Sequence, residues 1–151
     1  MDHWLEKRGG VFIAVYEGQC GRCSGSGRYE FELETEERAR YPAIGRSTPS
    51  RIIDPGEFLW LSDRAASEVP VDVTGLSKKE IRVARSLMQR AIVTLEEVLK
   101  FIPEGADEVP DGAFFSDLGR SVRQESPERF RREEITTRLA YYRGGMSELE
   151  V

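Results

Sequence analysis

The sequence predicts an α+β fold: β-hairpins form a small antiparallel sheet first, and two main helices follow over about 78–102 and 127–143. Three observations carry that expectation. Tyr29, Phe31 and Leu33 alternate with Arg28, Glu30, Glu32 and Glu34, the period of a strand with one wet face. Ser77-Lys-Lys-Glu80 has the spacing of a capping box. Beyond it Ile81, Ala84, Met88, Ala91, Leu95, Val98 and Ile102 recur at steps of three and four, the spacing of a helix face.

The elements follow in chain order. Val11 to Tyr16, "VFIAVY", is a run of β-branched and aromatic residues bounded by Gly9-Gly10 and Gly18, which reads as a mostly buried strand. Paired with the alternating segment after it, this run makes a hairpin whose tip holds both cysteines. "RIID" and "EFLWLS" read as a second hairpin turning at Asp54-Pro55-Gly56, because proline presets the first turn position and glycine accepts positive φ. Residues 41–50, with two prolines, form a loop between the hairpins, and a short helix is expected at about 63–68.

The long helix starts at the capping box and stops at Pro103. Its stripe reads as a core helix lying across the sheet, with Leu87, Ile92 and Leu99 widening it beyond a strict seam. Part of the seam, Met88, Leu95, Val98 and Ile102, is also a candidate for pairing with a second copy. "AFFSDLGRSVRQ" reads as a short helix docking through Phe114, Phe115 and Leu118. Ser126 and Pro127 open the last helix, which Gly144-Gly145 ends.

A chain of 151 residues suits a single domain: 1–62 mainly β with the glycine-rich cysteine turn, 63–145 mainly helical, and 146–151 a flexible tail. At 39% hydrophobic and 32% charged residues it is polar but too apolar for wholesale disorder, so it should fold. A net charge of −5 argues against indiscriminate attraction to DNA or anionic lipid. No run approaches the roughly 18–20 apolar residues of a spanning helix, and the first ten residues lack the apolar core of a signal peptide. A cytoplasmic or otherwise intracellular protein is expected, with no membrane partner. Two cysteines three apart make no disulfide framework.

Those cysteines lie in Cys20-Gly-Arg-Cys23-Ser-Gly25-Ser-Gly27, a C-x-x-C-x-G-x-G pattern. It resembles one repeat of the zinc-binding region of DnaJ-type cochaperones, where paired repeats hold zinc through four cysteines. The resemblance spans residues 20–27, occurs once in this chain, and lacks the companion repeats and the His-Pro-Asp module; it implies a zinc knuckle rather than a chaperone. Two thiolates at this spacing reach one tetrahedral ion, but structural zinc takes about four ligands. One completion adds His3, the only histidine, and a carboxylate such as Glu17 or Glu30. The other, favoured because it needs no unusual ligands, has two chains donate Cys20 and Cys23 to a shared site. A redox pair and a glycine-rich turn with incidental thiols are the competing readings.

In the last third Arg120, Arg123, Arg129, Arg131, Arg132, Arg138 and Arg143 stand among four glutamates. Arg129, Arg131, Arg132 and Arg138 are candidates for contact with a protein partner or with nucleic acid backbone, the latter the less favoured. Glu128 with Arg132 and Glu134 with Arg138 also fit ordinary i,i+4 pairs on a wet face. One histidine near the start leaves no Ser-His-Asp or Cys-His arrangement, and "CSGSGR" lacks the Lys-Ser or Lys-Thr ending of a phosphate-binding loop. The expected function is a non-enzymatic structural, assembly or adaptor protein acting through protein association and forming a homo-oligomer. The alternative is a small nucleic-acid-binding or transcription-associated regulator with a zinc knuckle.

Overall fold

The computed structural model describes residues 2–20, 23–33, 44 and 47–149, and the fold is α+β. The chain divides into two compact units, 1–38 and 39–151. The loop expected over 41–50 lies largely outside the described residues, as does Glu34.

The first unit is a three-stranded antiparallel sheet of β1 (Asp2–Arg8), β2 (Val11–Gln19) and β3 (Ser26–Leu33), with β2 central. The hairpin with the cysteine tip is present as β2 and β3. β1 is an addition to the expected strands. Gly9 and Gly10 both have positive φ (57° and 90°), the backbone of a tight two-residue hairpin turn, so they join two strands where the sequence suggested only a boundary. In register, Leu5, Ala14 and Phe31 stand side by side, and Trp4, Val15 and Glu30 occupy the next row on the opposite face.

The second unit contains helices α1 (Pro55–Ser67), α2 (Lys78–Leu99), α3 (Asp117–Glu125) and α4 (Arg132–Glu148). α1 replaces the expected second hairpin and absorbs the short helix expected at 63–68. The residues read as a turn are a helix start: Asp54 accepts from Glu57 N at 2.9 Å, Glu57 returns the bond to Asp54 N, and Pro55 fills the first helical position. Phe58, Leu59, Ser62 and Ala65 then fall on one buried helical face. α2 begins at Ser77 with both halves of its capping box made, as expected.

The last helix differs at both ends. Pro127–Phe130 is a 3-10 turn, α4 proper starts at Arg132, and it runs through Gly144-Gly145 to Glu148. Leu149 is buried, so residues 146–149 belong to the folded body rather than to a loose tail; Glu150 and Val151 lie outside the described residues.

α2 is the centre of this unit, with α1 and α4 packed on it and α3 packed on α1. Ser62 Oγ donates to the Ala91 carbonyl at 2.8 Å, a buried bond joining α1 to α2. Fully buried Phe130 meets Phe114 edge-on at 4.8 Å, and Arg123 lies over both rings. Gly56 and Gly119 let the starts of α1 and α3 approach so closely that a Cβ on Gly56 would overlap Gly119 and one on Gly119 would overlap the capping carboxylate of Asp54.

Candidate association surface

The alternation in the first unit sorts its side chains onto two unlike faces. His3, Leu5 and Lys7 share one face with Phe12, Ala14, Tyr16, Tyr29, Phe31 and Leu33 through the register His3–Tyr16–Tyr29, Leu5–Ala14–Phe31 and Lys7–Phe12–Leu33. His3 stacks on Tyr16 at 4.9 Å and Tyr16 meets Phe31 edge-on at 5.7 Å. This aromatic face is open: Leu5 is 56% exposed, Tyr29 58%, Phe31 42% and Leu33 39%. Apolar groups of that size, contiguous and exposed, are what interaction surfaces are made of.

The opposite face is charged but internally neutralised. Glu30 accepts from Arg8 at 2.8 Å and from Arg28 at 2.8 Å, and Arg8 also holds Glu6, which accepts from Trp4 Nε1 at 2.7 Å. The Arg8 bond and then the Arg28 bond hold the Glu30 carboxyl at about 2, far below the usual carboxylate range. Glu6 is held low chiefly by the Trp4 bond and then by Arg8. Glu30, on the wet side of the alternation, therefore sits in a mixed-charge lattice.

At the hairpin tip Cys20 N donates to the Gly25 carbonyl and Ser24 N to the Cys20 carbonyl, both at 2.8 Å, with Ser24 at φ 55°. Cys20 and Cys23 are exposed and form no disulfide. His3 is not brought to them. It stands opposite Tyr16, four residues along the strand from Cys20, about 14 Å at the strand rise. Among the described residues no group of three His, Cys, Asp or Glu side chains is placed to hold one metal ion.

Of the candidate arginines, Arg129, Arg132 and Arg138 are half-buried and bonded within their own unit, whereas Arg131 is exposed. Arg129 donates to Asp63 at 2.6 Å and Arg138 to the same carboxylate at 3.2 Å, tying α1 to the 3-10 turn and α4. Arg132 donates to the carbonyls of Pro103 and Ala106. The i,i+4 pair Glu134–Arg138 is present at 3.8 Å. Arg131 is exposed and has no side-chain partner among the described residues. These long-range partners left no sequence signal. Met88, Leu95, Val98 and Ile102, the seam residues considered for self-association, are buried in the core of their own unit.

A groove between the end of α1 and the start of α2 has an apolar floor of Leu76, Val83, Ala84 and Leu87. Its rim carries Glu68, Ser77, Lys79 and Glu80, of which Ser77 and Glu80 bond each other in the α2 capping box. No described helix is long and apolar enough to cross a membrane. No protein-family model, curated protein or solved structure matches this chain.

Proposed function

We propose that this chain is a non-enzymatic structural, assembly or adaptor protein that acts by binding other protein surfaces through the sheet of its first unit. The observation that carries the reading is the open aromatic face: a sheet with one apolar side is stable and soluble when a second layer covers that side. The described residues of the first unit supply no such layer, and Leu5, Tyr29 and Phe31 stay wet. The neutralised opposite face supports the same division of labour, since its charges hold the strands together. A cytoplasmic setting suits exposed thiols at Cys20 and Cys23.

A photo-crosslinking side chain at Leu5 or Phe31, compared with one at the still more exposed Tyr141 of α4, tests the proposal in cells that make the protein. Adducts of discrete mass from the sheet positions and none from Tyr141 support it. No adducts, or the same pattern from all three, overturn it.

A further inference from the structure

The open face has an open edge beside it, and the two edges of the sheet differ. On β1, Trp4 and Glu6 are partly covered, whereas every residue of β3 except Gly27 is exposed. An exposed edge strand of eight residues presents a row of backbone donors and acceptors without sheet partners among the described residues, a template for another strand. Its side chains select which strand fits.

We propose that β3 pairs antiparallel with β3 of a second copy, about a two-fold axis through Tyr29, so that two sheets join into one of six strands. This rests on the association reading and names its partner. The register follows from charge. Antiparallel self-pairing centred on Tyr29 sets Arg28 opposite the partner's Glu30 and Glu30 opposite the partner's Arg28, two opposite-charge pairs by symmetry. It sets Phe31 opposite the partner's Gly27. Tyr29 meets the partner's Tyr29.

Neighbouring registers that keep both aromatic faces on one side fail on the same criterion. Centring on Arg28 opposes two arginines, centring on Glu30 opposes two glutamates, and centring on Phe31 sets Glu30 against the partner's Glu32. Arg28 and Glu30 already touch within one chain, so the junction becomes a lattice of four alternating charges rather than two isolated pairs. The geometry also separates the cysteine tips. Gly25 of the two copies falls eight strand positions apart, about 27 Å, which is too far for a shared four-cysteine zinc site.

The test uses the full chain in sedimentation equilibrium. The native chain is expected to form dimers, and Tyr29→Lys, which sets two like charges face to face at an exposed position, is expected to weaken them about tenfold or more. Arg28→Glu and Glu30→Arg should each weaken self-pairing and recover a heterodimer when mixed. In a Cys20→Ser/Cys23→Ser background, Tyr29→Cys should cross-link under mild oxidant and Leu33→Cys should not. Circular dichroism checks that each variant folds; if Glu30→Arg does not, the Tyr29 variants decide. A monomer at all concentrations, a dimer indifferent to Tyr29→Lys, or one lost on chelation or Cys23→Ser overturns the pairing. A monomer that still gives sheet-face adducts overturns the pairing while leaving the association reading in place.

Discussion

Arg8 reaches from β1 over the central strand to hold Glu30 on β3, with Nη1 to Oε2 at 2.8 Å and Nη2 to Oε1 at 3.1 Å. The two outer strands, which share no backbone bond, are joined through this pair.

The pair gives the sheet a defined acid response. The carboxyl of Glu30 is held at about 2 in the folded chain, first by Arg8 and then by Arg28, against roughly 4.3 when unfolded. A lowered folded value means that the contribution is fully present above about pH 4.3 and disappears as pH falls from there through about 2. Carboxyl carbon NMR should place the Glu30 midpoint near 2, and Arg8→Gln should move it upward. A wild-type midpoint near 4.3 would sink the assignment.

Asp54 should be the most sensitive polar position in the second unit. One oxygen caps α1 through Glu57 N, and the other accepts from Phe115 N at 3.1 Å and from Ser116 N and Oγ at 2.8 Å, at the start of α3. Asp54→Ala removes a cap from α1 and leaves three part-buried donors at α3 without their acceptor, a cost of about 2–3 kcal/mol in urea unfolding. Ser77→Ala, which removes a single exposed cap from α2, should cost about 1 kcal/mol. Equal losses from the two would contradict the double-cap account.

Two glycines should respond to alanine in opposite directions. At Gly144, inside α4 with nothing near its absent Cβ, alanine should stabilise by up to about 1 kcal/mol through helix propensity. At Gly119 a Cβ overlaps the Asp54 carboxylate, and alanine should lower the melting temperature. Thermal unfolding of both variants decides; a destabilising Gly144→Ala would mean that α4 ends where the sequence first suggested.

Arg131 and Arg132 are neighbours with different duties. Arg132→Gln loses bonds to the Pro103 and Ala106 carbonyls and should cost about 1 kcal/mol, whereas Arg131→Gln should stay within about 0.5 kcal/mol of wild type. Urea titrations of the two variants check this, and the reverse order would return Arg132 to the surface role first considered for it.

These contrasts show where local sequence is informative. The Ser77 capping box and the Tyr29-Phe31-Leu33 alternation involve residues a few positions apart, and both formed where the pattern placed them. Asp54-Pro55-Gly56 satisfies a turn and a helix start equally well up to its third residue. Glu57 and the three-to-four spacing of Phe58, Ser62 and Ala65 break the tie, against the pull of the aromatic "EFLWL" toward a strand. β1 was hidden because "DHWLEKR" alternates weakly and gains its identity from pairing with β2. The arginines' partners, such as Asp63 for Arg129, lie beyond any local window because they depend on how helices meet.

The Asp54 double cap also sets an order of events during synthesis. Asp54 leaves the ribosome about sixty residues before Phe115 and Ser116, so α1 can form its own cap while the second carboxylate oxygen waits in water. Burying that oxygen early would leave a charge without its donors, which makes closure of the bundle around α1 unfavourable until α3 arrives. On this argument Asp54 ties completion of the unit to the arrival of α3.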